Sequence, residues 1–180
     1  MRHARVPSGF TLIELLIVLV TLAIITVLAM PNTLDVQQRV VLHTQVDSFS
    51  AHLRLVRAAA MSRGGSATLA PNDGTSWRSG WLGFVDDNAD GRYQTDEVVL
   101  YRRAAVAQVG ACQKISASAS PNFSFGSDGQ PVSRANAGRG GTIIFCNAVS
   151  EQRAVVVSFT GRIRNSAQIP AGACTCEVSL

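Results

Sequence analysis

From Phe10 to Met30 the chain reads FTLIELLIVLVTLAIITVLAM, 21 residues with a single charge, Glu14. At about 1.5 Å per residue, a helix of this length spans about 31 Å, the thickness of a bilayer core. Ahead of it lies a short polar leader with Arg2, His3 and Arg5, ending at Gly9. Positive charge on the N-terminal side predicts that this end stays in the cytoplasm and the rest is exported. A cleaved secretory signal fits poorly, because the apolar run is too long, an acid sits in its first turn and no clean small-x-small site follows. The remaining composition is that of one modest folded domain. Of the 180 residues, 47% are hydrophobic and 16% charged, which excludes a disordered chain or a coiled-coil rod. The net charge of +4 is too mild to prove a nucleic-acid partner. Lys114 is the only lysine among sixteen basic residues, so fifteen are arginines, planar donors suited to carboxylate or phosphate.

Glu14 is the informative residue of the first segment. A carboxylate in a membrane helix is costly and is functional by default unless it lies at the interface. The run Gly9-Phe10-Thr11-Leu12-Ile13-Glu14, with a basic leader before it and an apolar run after it, resembles the leader of type IV pilins and pseudopilins. That resemblance implies cleavage by a prepilin peptidase between Gly9 and Phe10, followed by N-methylation of Phe10. It also implies that Glu14 pairs with the N-terminus of an adjacent subunit during filament assembly.

Beyond Met30, Pro31 bends or resets the helix, and Asn32-Thr33 is suited to a local cap. Leu42, Val46, Phe49, Leu53, Val56 and Ala60 then recur at alternating steps of four and three, one apolar stripe on an amphipathic helix that ends at Gly64-Gly65. His43 and His52 lie nine residues apart on it, which is no ligand or catalytic spacing. After Gly65 the texture changes to short β-type runs: Ala67–Leu69, Trp81–Val85, Val98–Arg102, Lys114–Ala117, Phe123–Phe125, Thr142–Cys146 and Ala154–Thr160. Turn signals such as Asn72-Asp73-Gly74 and Asp128-Gly129 separate them. The expected fold is α+β, a long helix packed on antiparallel sheet. Its divisions are a leader over 1–9, a transmembrane helix over 10–30, an amphipathic continuation over 31–65 and a β-rich head over 66–180.

Cys112, Cys146, Cys174 and Cys176 all fall in the part expected outside the cytoplasm, where disulfides persist. A bond between Cys174 and Cys176 closes too short a loop. The two favoured pairings therefore join each of them to Cys112 or Cys146, in either order. Zinc lacks support, with no Cys-x-x-Cys pair and no nearby histidine. Asp86-Asp87-Asn88-Ala89-Asp90-Gly91, with Glu97 in twelfth place, matches the EF-hand loop pattern, and a calcium-binding exported module is one reading of it. The flanking segments read as strands, not helices, so an acidic turn without metal is expected. Gly138-Arg139-Gly140-Gly141 has no phosphate-loop lysine after it, and no catalytic Ser/His/Asp, His-Glu-x-x-His or nucleophile-elbow spacing appears. Neither an enzyme nor a cofactor is expected.

The strand Ala154–Thr160 leads into Gly161-Arg162-Ile163-Arg164. In an extended segment Arg162 and Arg164 project to one side, about 6.6 Å apart, while Ile163 points back to the protein. Two guanidinium groups so spaced suit neighbouring phosphates of a nucleic-acid backbone, and Arg134, Arg139 and Arg153 add charge nearby. By charge alone, a solvated edge is the simpler reading. Gly161–Arg164 resembles the GRxR motif of FimT-type minor pilins. Gly80-Trp81, Phe84-Val85-Asp86 and Ile144-Phe145-Cys146 extend the resemblance to the FimT/GspH family over most of the chain. It implies a pilin-type fold, a place in a pilus beside other pilins, an inner-membrane origin, and binding of extracellular DNA through phosphates during natural transformation. The alternative it implies is a GspH-like minor pseudopilin of a type II secretion system, which binds other pseudopilins and no DNA.

Overall fold

Two helices and eight strands follow one another in the computed structural model, which describes residues 9–29, 33–107, 109–114, 121–132, 140–148 and 150–169. They fall into two compact units that divide after Val36.

In the first unit, α1 covers Leu12–Ala29. Thr11 Oγ1 accepts a hydrogen bond from Glu14 N at 3.3 Å. Thr11-x-x-Glu14 therefore has the spacing of a capping box, in which the Thr11 hydroxyl serves the Glu14 backbone N–H. Side chains on every side of the helix are exposed, Leu12, Leu16 and Leu19 among them. Its 18 residues rise about 27 Å, and among the described residues no helix is long and apolar enough to cross a membrane. The expected break at Pro31 lies outside the described residues.

Helix α2, Thr33–Arg63, carries the amphipathic stripe. All six stripe residues are buried, as the four-three spacing requires. The helix stops where its sequence says it should. Gly64 takes φ +65°, and Gly65 N donates back to Ala60 O at 3.2 Å, closing a Schellman motif.

The strands form two antiparallel sheets. One has the order β3-β2-β1-β5, from Val99–Ala104, Gly80–Val85, Ala67–Pro71 and Phe123–Phe125. The other has the order β4-β6-β7-β8, from Val109–Lys114, Gly141–Asn147, Gln152–Val157 and Ile163–Ser166. The α2 stripe shares one core with Leu69 and Phe125 of the first sheet and with Ile143, Phe145, Val155 and Val157 of the second. Phe49 is its centre, meeting Trp77, Trp81 and Phe145 edge-on at centroid distances of 5.2, 5.1 and 5.2 Å. His52 has a packing role: its Nδ1 accepts from Trp81 Nε1 at 3.0 Å, and its ring stacks on Tyr101.

Three strand expectations change. Of the strand expected at Lys114–Ala117, Lys114 is the last residue of β4, which pairs with β6 from Val109 to Lys114, and residues 115–117 lie outside the described residues. Ala154–Thr160 stops being strand at Val157, since Ser158 N bonds Arg162 O and turns the chain. The segment after Gly161 is itself a strand, β8, zipped to β7 from Val157↔Ile163 to Ala154↔Ser166.

Candidate nucleic-acid interface

The β7–β8 hairpin lies along α2, and three contacts fix its direction. Glu151, before β7, binds His43 at 3.2 Å. Asn165 of β8 donates to Asp47 Oδ1 at 2.8 Å and accepts from Ser50 Oγ. At the far end, Arg57 Nε donates to Gly129 O at 2.7 Å, beside Gly161. From residue 43 to residue 57 a helix rises about 21 Å, so the tip at 158–162 stands by the C-terminal end of α2.

The tip is tightly specified. Ser158 N donates to Arg162 O and Gly161 N to Ser158 O, both at 2.9 Å, and Arg162 N donates to Ser158 Oγ at 3.1 Å. Gly161 is buried with φ +79°, and a Cβ there would stand 2.1 Å from Gly129 O and 3.0 Å from Arg57 Nε. The glycine of the GRxR run is thus a structural necessity, both for its left-handed backbone and for close approach to the turn at 126–130.

Ile163 packs half-buried against the core between two exposed arginines. Arg164 stands opposite Val156 on β8, and Arg162 ends the loop before it. Among the described residues neither has an ion pair. Phe159, 69% exposed, crowns the same loop. Arg57 joins the tip only through folding. Arg57 is 105 residues from Arg162 in the sequence and reads there simply as a polar residue off the apolar stripe.

The weaker arginine candidates separate from this pair. Arg153 donates to Glu151 Oε1 from Nε at 3.2 Å and from Nη2 at 3.1 Å, so its charge is already met. Arg39 adds a longer contact of 3.8 Å to the same carboxylate. Burial alone pushes the Glu151 carboxyl up, but hydrogen bonds and charge from His43 and Arg153 hold it below the usual carboxylate range. Arg134 and Arg139 lie outside the described residues. Cys146 is buried in β6 and is held in a disulfide. The side chain of Cys112, and all of Cys174 and Cys176, lie outside the described residues.

The acidic loop is an ordered structure on the outer face of the first sheet. Tyr93 packs edge-on against Phe84, and Asp86, fully buried, accepts from Thr68 Oγ1 at 2.7 Å and from Gly91 N at 2.9 Å. Burial first, and the charges of Asp86 and Asp90 after it, push the Glu97 carboxyl up. Among the described residues no three His, Cys, Asp or Glu side chains are arranged to hold a metal.

A long helix, α2, laid on antiparallel sheet defines a type IV pilin fold. A family model described as type II transport protein GspH matches residues 45–161, and the chain belongs to this family of minor pilins and pseudopilins. Two solved structures are similar in fold. The type IV minor pilin FimU of Pseudomonas aeruginosa is 21% identical, with a TM-score of 0.59 over 74% of this chain and 95% of that one. The minor pseudopilin EpsH from the type 2 secretion system of Vibrio cholerae is 15% identical, with a TM-score of 0.51 over 69% and 95%. No curated protein sequence matches the chain.

Proposed function

We propose that this chain is a minor pilin that holds extracellular DNA by its phosphates through Arg162 and Arg164 and so serves DNA uptake in natural transformation. The observation that carries this reading is the contrast among its arginines. Arg153 is neutralised by Glu151, whereas Arg162 and Arg164 stand exposed and, among the described residues, without an ion pair at the tip of a braced hairpin. Guanidinium groups offered in this way suit phosphate oxygens and carry no base preference. In this reading a prepilin peptidase removes residues 1–9, Phe10 is N-methylated, and the segment 10–30 anchors the head on the periplasmic side of the inner membrane. Glu14 pairs with a neighbouring N-terminus as the subunit enters the pilus among other pilins. Cys174 and Cys176 fasten the tail to Cys112 and Cys146, which non-reducing peptide mapping would read directly.

The test is DNA binding by the full-length protein in detergent across a salt series. The parent should bind at low salt with little sequence preference, and affinity should fall linearly on a log–log plot. Replacing both Arg162 and Arg164 by Gln should weaken binding sharply and reduce the salt slope by about two. Undiminished binding by the folded double variant would refute the assignment. The family match to type II transport protein GspH favours one second reading, a structural pseudopilin of a secretion system. Absence of any DNA binding by the parent at low salt would make that the better account.

A further inference from the structure

Among the described residues, three buried oxygens in the loop between β2 and β3 have no hydrogen-bond partner: Asp86 Oδ1, Gln94 Oε1 and Glu97 Oε1. Each is an acceptor, and each belongs to a group whose other polar atom is tied inside the same loop. Asp86 Oδ2 accepts from Gly91 N at 2.9 Å, Glu97 Oε2 accepts from Gln94 N at 2.8 Å, and Gln94 Nε2 donates to Asp90 Oδ2 at 2.6 Å. The three free oxygens are therefore carried on side chains folded into one small loop. Asp86 is fully buried and Glu97 is 8% exposed. Two carboxylates buried together repel, and each orphaned acceptor forfeits its hydration; a cation answers both costs.

The orphaned atoms sit at the first, ninth and twelfth positions of the twelve-residue pattern beginning at Asp86. Those are ligand positions of a calcium loop, with Glu at the twelfth. We propose that Asp86–Glu97 is a calcium site, with Asp86 Oδ1, Gln94 Oε1 and Glu97 Oε1 as its inner protein ligands. The donor set selects the ion. It combines two carboxylates with a neutral amide oxygen and contains no nitrogen or sulfur ligand, which suits calcium and not zinc or copper. Only two carboxylates enter the set, and among the described residues no three His, Cys, Asp or Glu side chains converge. Asn88, exposed at the third position, lies on the more open side, where with water it would complete the six to eight oxygens calcium takes. This revises the expectation of a metal-free turn. The flanking strands supply the rigidity that helices give an EF-hand, because β2 ends one residue before Asp86 and β3 starts two residues after Glu97. Bound calcium would pin the loop, and with it Tyr93 and Phe84, to the outer face of the first sheet. The site is independent of the arginine tip.

The test is isothermal titration of calcium chloride into full-length protein in detergent, stripped with a chelator, with thermal melting in parallel. One ion should bind per chain, and about 5 mM calcium should raise the melting temperature by several degrees, with a markedly smaller rise in magnesium. Glu97→Gln keeps shape and hydrogen bonding while removing a charge, and should weaken binding at least tenfold. Gln94→Met removes a free oxygen from a partly exposed side chain, so it serves if Glu97→Gln fails to fold, and it too should weaken binding. No heat and no melting shift in the parent would overturn the proposal. So would calcium affinity unchanged in the folded variants, because the ion would then sit elsewhere.

Discussion

Replacing Gly161 by Ala leaves every charge of the hairpin tip in place yet should dismantle its geometry. Two costs add at this position. The first is the left-handed backbone at φ +79°, about 1–2 kcal/mol for an L-residue. The second is steric, since the new methyl would stand 2.1 Å from Gly129 O, a backbone atom fixed by its own turn, and 3.0 Å from Arg57 Nε. Overpacking of this kind costs about 1–3 kcal/mol, and displacing Gly129 also endangers the charged hydrogen bond from Arg57. Gly64 supplies the control. It has φ +65° but nothing within 4 Å of its Cβ position, so Gly64→Ala pays only the backbone cost. Urea unfolding of both variants should show Gly161→Ala losing about 2–5 kcal/mol and Gly64→Ala about 1–2 kcal/mol. DNA binding should also weaken in Gly161→Ala with no change in charge. Equal losses in the two glycine variants would refute the argument from close approach.

Phe49→Ala removes the ring on which Trp77, Trp81 and Phe145 converge, and urea unfolding should show a loss of about 3–5 kcal/mol with altered tryptophan fluorescence. Acidification should weaken the fold. Burial, and after it the charge of Arg103, holds His52 below the ordinary histidine value, so the unfolded chain takes up a proton there first and stability falls as pH drops through about 6.5. Glu151 lies below the usual carboxylate range, so its contribution is full above that range and is lost at lower pH, as it protonates. The urea midpoint should therefore fall in two stages, the upper one absent in His52→Asn; a midpoint unchanged from about pH 7 to 5 would contradict the His52 assignment, and one unchanged from about pH 5 to 2 the Glu151 assignment. Mass spectrometry of protein from the membrane should find N-methylated Phe10 as the first residue, whereas an intact Met1 would remove the expected processing.

The sequence determined what depends on local order. The four-three spacing from Leu42 to Ala60 specified which face of α2 is buried, and Gly64-Gly65 specified where it ends, because periodicity and a left-handed cap are properties of neighbours along the chain. Phe123–Phe125 and Trp81–Val85 were legible for the same reason, as apolar β-formers bounded by turn residues. Strand register was not legible. Val109-Gly110-Ala111 carries little β signal of its own and is strand only because β6 pairs with it, and the division of eight strands into two sheets follows from such pairings. The same distinction runs through the sites. Sequence ranked Arg153 below Arg162 and Arg164 as mere added charge, and only tertiary structure met it with Glu151 and left the other two without an ion pair among the described residues. It alone set Arg57 against Gly161, and among the described residues it left one oxygen each of Asp86, Gln94 and Glu97 buried without a donor. Charge and chemical type are written residue by residue, but whether a charge is met or an oxygen satisfied depends on groups far along the chain, and only the packed fold brings those together.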